Sequence, residues 1–399
     1  MQNFEYQNAS KIIFGSHDEG VLAREIKSLG AKKVLLHYGQ NSVIKSGLLA
    51  KIQNALRAEK IDFIEYGGVR ANPLRSHTLA GVDLAKARKV DFVLAVGGGS
   101  VIDSAKCIAA GALTPNIWDY YDEARSKVLV NKRGENKPLP AALPLGVVLT
   151  IPAAGSEGSL ASVIRDDRTG LKYALSDNLL RSRFAFVNPA YCATLPKCQV
   201  AYGASDILAH MLERYFSPEP HVVVTDKILG GAIQSMFEIA PKVFKNPGDF
   251  QAMSEFCLLG TLAHNGMLAL GRAPQAWECH PIENAVISGH FNFAHGQGLA
   301  ILFPAWLKYL GKREPKILQF AREVMNAAGK TDDEVIKNAI AALEKFYLSL
   351  DLPTRLGDLG IDAAAAKGVA RTAFPPDVRL GGFGRLTLAD IQNILDLAR

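Results

Sequence analysis

Apolar and polar positions follow two different rhythms along this 399-residue chain. In the first half, short apolar runs alternate with amphipathic stretches. Two β-prone runs lie between Phe4 and Gly15. Lys33–Tyr38, Ile61–Tyr66 and Asp91–Val96 then predict buried strands. Val43–Ala58, Arg75–Lys89 and Val101–Ala112 carry apolar residues at helical spacing. Pro144–Ile151 and Arg183–Val187 add two more strand-like runs. Strands alternating with helices predict βαβ units and a parallel, Rossmann-like sheet. Trp118–Pro140 is polar and punctuated by proline, which predicts a long connection. From Pro196 onward the period is close to 3.6 almost throughout, with breaks such as Ser217-Pro218, Asn246-Pro247-Gly248 and Gly271-Arg272-Ala273-Pro274. The change of rhythm places a boundary near Asn188-Pro189. The expected architecture is an α/β nucleotide-binding domain over 1–189 and an all-helical domain over 190–399.

Composition narrows the function classes. The formal net charge is +6, but Lys and Arg are scattered and no basic run stands out. A nucleic-acid or membrane-surface role has no support, whereas a modest positive field suits an anionic substrate or a phosphorylated cofactor. No apolar run reaches membrane-spanning length, and the first residues lack a signal pattern. The five cysteines are odd in number and form no CxxC pair, which points to a reducing compartment, the cytoplasm.

Candidate chemistry begins in the helix running to Tyr215. Asp206 and His210 are one turn apart on a face away from the apolar stripe of Ala204, Leu208, Met211 and Tyr215. Such a pair is either an ordinary surface ion pair or two ligands of one divalent metal. His280, in a helix that Pro281 can kink, and His295, in a Gly-containing turn, complete a set of one Asp and three His. That set suits Fe2+ or Zn2+ with positions left for substrate. His37, His77, His221 and His264 lack comparable settings. His290, five residues before His295, is harder to set aside.

Gly97-Gly98-Gly99-Ser100 sits where a strand meets its helix, so backbone amides there can approach a pyrophosphate. The same residues also read as a tight turn, with Ser100 and Asp103 as a capping box and Lys106 as a solvated helix residue. Gly39-Gln40-Asn41-Ser42 follows the first regular strand and contains no acid to hold the ribose hydroxyls of NAD. Gly39 leaves room, Asn41 and Ser42 can donate, and Lys45 is close in sequence. NADP is the expected cofactor over NAD, although a plain turn explains these residues nearly as well. Thr150–Glu157 is a second small-residue loop after a strand.

Together these segments resemble the iron-containing (group III) alcohol dehydrogenases, closest to the branch of NADP-dependent butanol dehydrogenases and aldehyde reductases. The resemblance runs from Phe4 to about Leu356. It rests on Lys11-Ile-Ile-Phe-Gly15, Asn72-Pro73, Leu94–Asp103, Gly155-Ser-Glu157, Thr194-Leu-Pro196, the Asp206–Tyr215 helix and His295-Gly296. It implies a dehydroquinate synthase-like superfold and hydride transfer between NADP(H) and a small alcohol or aldehyde in the interdomain cleft. The ligands it implies are Asp206, His210, His280 and His295. The cofactor contacts it implies are Gly97, Gly98, Gly99, Ser100, Asp103, Asn72, Thr150, Ser156 and Lys172, beside the Gly39–Ser42 loop. It further implies a homodimer that uses Phe4–Phe14. Three departures matter. Asn284 stands where many members carry a histidine thought to move protons, which leaves His290 or water as the donor. The His280–His295 spacing is one residue longer than usual. Ala154 replaces a threonine. An NAD-dependent polyol or glycerol-type dehydrogenase and a non-catalytic metal-binding relative remain as alternatives. A dehydroquinate synthase-like lyase has less support, because Lys and Arg are not found near His280 or His295 in sequence.

Overall fold

The structure is a computed structural model that describes residues 1–122, 137–219, 222–272 and 274–399. His221 and residues 123–136 of the expected long connection lie outside the described residues.

The first half forms β1 (Lys11–Phe14), α1 (Glu19–Ser28), β2 (Lys33–Tyr38), α2 (Ser42–Lys45), α3 (Leu48–Ala58), β3 (Asp62–Tyr66), α4 (Arg75–Ala87), β4 (Phe92–Gly97), α5 (Gly99–Leu113), β5 (Leu145–Leu149), β6 (Ala161–Arg165), β7 (Lys172–Ser176) and β8 (Phe184–Val187). Six strands make one sheet in the order β1-β8-β5-β4-β2-β3. Every pairing in it is parallel. Helices cover both faces, so β4 and β5 are buried along their whole length. Alternate residues serve the two layers. Val34, Leu36, Leu94 and Val96 pack with α1 and α3, whereas Leu35, Val93 and Ala95 pack with α4 and α5.

Several expectations need correction. The N-terminal region yields one strand, β1, and residues 1–10 are not extended into the sheet. The helix expected over Val43–Ala58 is two, because Gly47 turns the chain at φ +76° between α2 and α3. Residues 117–122, at the start of the expected connection, are helical, and Trp118 and Tyr121 there are buried and stacked. The antiparallel hairpin β6–β7 was not expected at all.

The second half is helical: α6 (Lys197–Tyr215), α7 (Val223–Lys245), α8 (Phe250–His264), α9 (Cys279–Ala285), α10 (His295–Leu310), α11 (Pro315–Glu323), α12 (Asp332–Ser349), α13 (Ala363–Ala373) and α14 (Leu388–Leu397). Helix α6 is its axis. From Gly203 to Tyr215 it is buried on every side, packed by α7, α8 and α10. Among the described residues no helix is long and apolar enough to cross a membrane.

Candidate functional site

A cleft of about 940 Å³ runs from the carboxyl ends of β2 and β4 to the middle of α6. Its nucleotide end lies where the chain leaves β2 towards β3 on one side and β4 towards β5 on the other. Loops diverge at such a point and open a crevice. Gly39, Gln40, Asn41, Ser42, Asn72, Gly97, Gly98, Gly99, Ser100, Asp103, Thr150, Ser156 and Lys172 all line this cleft, as do Asp206, His210, His280, Asn284 and His295. His290 does not. It is exposed on the turn after α9, edge-on to Phe291, so it is no substitute for an imidazole at Asn284.

Packing explains only part of the glycine loop. A Cβ on Gly98 would lie 2.8 Å from Ile151 Cβ, so close strand–helix packing requires that glycine. A Cβ on Gly99 would meet nothing nearer than Ala154 at 3.6 Å, so its bare backbone has no packing cause. The capping box is not formed. Gly98 is the N-cap of α5, and the Asp103 carboxylate instead accepts from Ser156 Oγ at 2.5 Å and Val163 N at 3.0 Å. Burial pushes Asp103 up, while the Lys106 ammonium and the Ser156 hydroxyl work against that shift. Lys106 is not solvated but wholly buried. Its Nζ donates to the carbonyls of Ser156 at 2.7 Å, Ser159 at 3.0 Å and Ala161 at 2.8 Å. Burial lowers it to about 8, with Asp103 and Glu157 opposing. This ammonium pins the 156–161 loop to α5 and shapes one wall of the cleft.

At the other end, Asp206 and His210 are 6 % and 4 % exposed, which removes the surface ion pair as an explanation. Asp206 Oδ1 lies 3.0 Å from His210 Nδ1, 3.7 Å from His280 Nε2 and 3.8 Å from His295 Nε2. One atom each from Asp206, His210 and His280 falls within a 4.8 Å cluster. Each imidazole has its Nδ1 occupied by an acceptor. His210 Nδ1 faces its own helix at the Asp206 carbonyl, 2.8 Å away; His280 Nδ1 faces Glu213 Oε1 at 3.1 Å; and His295 Nδ1 faces Glu283 Oε2. Nε2 is therefore the ring nitrogen left for a ligand, the arrangement in which a carboxylate orients a metal-binding histidine. Asp206 Oδ1 and His280 Nε2 are buried and have no hydrogen-bond partner among the described residues. Buried polar atoms are normally paired, so these two orphans fit a cation. Burial alone would raise Asp206, yet His210, His280 and His295 hold it well below the usual carboxylate range. Burial lowers His210 to about 4. Burial also opposes the charge on His280, but the nearby carboxylates of Asp206 and Glu213 bring it up to about 9. His295 reaches this cluster because Gly296 lets α10 touch α6: a Cβ there would run into the Tyr202 carbonyl oxygen.

The two halves of the chain match two family models. Residues 9–189 match "Iron-containing alcohol dehydrogenase", and residues 200–398 match "Fe-containing alcohol dehydrogenase family, C-terminal". The chain belongs to the iron-containing alcohol dehydrogenase family. It is 37 % identical over 404 residues to the protein named probable NADH-dependent butanol dehydrogenase 1 of Bacillus subtilis (strain 168), covering 99 % of each chain. It is 34 % identical over 401 residues to the NADPH-dependent aldehyde reductase YqhD of Escherichia coli (strain K12), covering 100 % of both. The crystal structure of NADH-dependent butanol dehydrogenase A from Thermotoga maritima superposes with a TM-score of 0.91 at 34 % identity, over 100 % of this chain and 99 % of that one.

Within this iron-containing dehydrogenase cleft stand residues that sequence reasoning passed over. The His264 ring lies tilted, 4.2 Å from the His210 ring, and its Nδ1 meets the Ala154 carbonyl at 2.7 Å. Burial, assisted by the neighbouring His210 and Arg214, pushes it well down and disfavours its protonated form. Arg214 donates to the His210 carbonyl at 2.9 Å and lies over the Trp277 ring. Glu213 and Glu283 are fully buried beneath the histidines. Glu213, three residues after His210, was within reach of helical spacing; Glu283 and His264 carried no local signal. Lys172 Nζ donates to Asn284 Oδ1 at 3.1 Å and Ser288 Oγ at 2.6 Å, which ties the β6–β7 hairpin to α9.

Proposed function

We propose that this chain is a metal-dependent alcohol dehydrogenase acting chiefly as an aldehyde reductase, with NADP(H) and a small butanal-like substrate. The observation that supports it most is the pair of buried, unpartnered atoms, Asp206 Oδ1 and His280 Nε2, at the end of a cleft whose far end is bare backbone. Asp206, His210, His280 and His295 would hold Fe2+ or Zn2+. When bound, the cation supplies a Lewis acid for a carbonyl oxygen and the nicotinamide supplies the hydride. Glu213 and Glu283 fix the ring orientations of His280 and His295. Trp277, Pro281 and Phe374 give the cleft apolar walls that limit water. The amide of Asn284 cannot exchange a proton as an imidazole does. The proton that completes the alcohol is assigned to Lys172 Nζ, which faces Asn284 Oδ1. Burial lowers this ammonium below the usual lysine value, which makes it a readier donor.

The relatives' names divide between NADH and NADPH. NADP is favoured here by the acid-free loop Gly39–Ser42. The domain boundary near Asn188-Pro189 is supported by the last sheet strand ending at Val187 and the helices beginning at Lys197. A homodimer through Phe4–Phe14 is supported by β1 lying at the sheet edge with Phe4 and Ile12 exposed. Five free cysteines agree with the cytoplasm.

The test is the initial rate of NADPH against NADH oxidation with butanal, on protein loaded with Fe2+ or Zn2+. A metal-dependent rate favouring NADPH is expected. A preference for NADH would leave the enzyme class and remove the cofactor choice. No rate with either cofactor across a panel of aldehydes would favour a metal-binding relative that has lost turnover with Asn284.

A further inference from the structure

We propose that Arg70 reads the 2′-phosphate of NADP in this chain. The inference rests on the nucleotide reading of the cleft and names the side chain that selects between the two cofactors.

Arg70 follows β3 in the run Gly67-Gly68-Val69-Arg70. Gly68 N donates to the Gly39 carbonyl at 2.9 Å and Val69 N to the Tyr38 carbonyl at 3.4 Å. The loop after β3 is thus stitched alongside the loop after β2. Arg70 lines the cleft at that end with Gly39, Asn41 and Ser42, whereas Lys45, the cation suggested by sequence proximity, does not. Arg70 is exposed, and its guanidinium makes no hydrogen bond or ion pair with any described residue. Arg168 and Arg272, by contrast, each hold an aspartate.

The surroundings suit a phosphate and not a bare ribose. The carboxylates on the cleft wall are Asp103 and Asp206. Asp103 is held by Ser156 and Val163, and Asp206 lies among the histidines. Glu65, the acid nearest in sequence, accepts from the Tyr38 hydroxyl at 3.1 Å. No acid of the described lining therefore stands at this end to accept from ribose hydroxyls or to repel a phosphate. Gly39 adds a second, independent indication. A Cβ there would make only ordinary contacts at 3.8 Å, with Val101 and the Val69 carbonyl, so packing does not demand the glycine. Its effect is to keep volume open beside Arg70. A planar guanidinium can bond a phosphate monoester through two N–H groups. Asn41, whose side chain makes no capping bond to α2, and Ser42 can donate from the other side.

The experiment is calorimetric binding of two fragments to the full-length, metal-loaded protein: adenosine 2′,5′-bisphosphate and adenosine 5′-monophosphate. Wild type is expected to bind the bisphosphate about tenfold or more tightly, with a preference that shrinks as salt rises. Arg70→Gln is expected to reduce that ratio about tenfold while leaving the monophosphate affinity in place, and Arg70→Lys to restore part of it. A wild type without preference overturns the proposal, as does an unchanged ratio in Arg70→Gln. Binding of neither fragment, nor of NADH, removes the nucleotide reading itself and this inference with it. Because Arg70 is exposed and has no partner among the described residues, thermal unfolding of Arg70→Gln should match wild type, so a lost ratio is not a folding defect.

Discussion

Two buried clusters of charged side chains beside the cleft differ in one respect. Around Lys106 every charge has found protein partners: three carbonyls, two serine hydroxyls and the neighbouring Asp103 and Glu157. Around Asp206 the accounting does not close, because Oδ1 and His280 Nε2, 3.7 Å apart, find no hydrogen-bond partner among the described residues. Burying charge is costly unless it is compensated. The first cluster compensates itself and is architecture. The second is compensated only when something else arrives. The same contrast separates single histidines. His37 is buried with both nitrogens bonded, to the Tyr66 carbonyl and Ser104 Oγ, whereas His280 leaves one nitrogen bare.

The sharpest way to break this contrast is His280→Ala. Turnover should fall by on the order of 10³-fold or more, because a Lewis acid supplies several kcal/mol of transition-state stabilisation. Metal content per chain should fall with it. Full metal and retained turnover would place His280 with the structural histidines. Lys106→Met tests the other cluster. Unfolding in denaturant should show a loss of about 3 kcal/mol or more, because the buried carbonyls of Ser156, Ser159 and Ala161 lose their donor and the buried Asp103 and Glu157 lose a neighbouring cation. A loss near zero would mean that the serine-rich loop holds itself.

His37 sharpens the comparison through pH. Burial, assisted by the nearby His77, lowers it from 6.5 to about 3, against the bond to Tyr66. In the window between those values the unfolded chain binds the proton and the folded one does not. Stability is therefore lost as pH falls through it, by about 3 kcal/mol two units below the unfolded value. His37→Asn should flatten that slope in unfolding curves taken across the window, and an unchanged slope would clear His37. Next in size is Glu213→Gln, which should weaken metal affinity roughly 10–100-fold with the fold intact; competition with a chelator reads this directly. Smallest is His290→Ala. An exposed ring off the cleft should cost under about 0.5 kcal/mol of stability, and kcat should stay within about twofold.

The parts of this site legible in the sequence were those with a local period. Asp206 and His210 are one turn apart, and Gly97–Ser100 interrupts a strand-to-helix pattern, so spacing alone displayed them. Lys106 read as solvated because its acceptors lie some fifty residues ahead, in a loop whose path no local pattern reveals. The β6–β7 hairpin escaped for a related reason. Ala161–Arg165 alternates in burial, but each strand has five residues and sits outside the main sheet. Glu283 and His264 take their meaning from neighbours delivered by α8, α9 and α10. Gly47 was visible as a residue, but its left-handed backbone, which divides α2 from α3, was not.

That hairpin has a consequence in time as well as in shape. At its base, Arg165 N is bonded to the Pro73 carbonyl at 2.8 Å. Towards the helical half, Arg165 Nη2 reaches the Gly289 carbonyl at 3.3 Å and Lys172 reaches Asn284 and Ser288. A motion that parts the two walls must stretch these side-chain bonds while sparing the ladder between β6 and β7. Side-chain bonds of this kind break and re-form far faster than a sheet unravels. The ladder between β6 and β7 is therefore expected to outlast the side-chain bonds to the helical half, and slow deuterium exchange at its paired amides would report it.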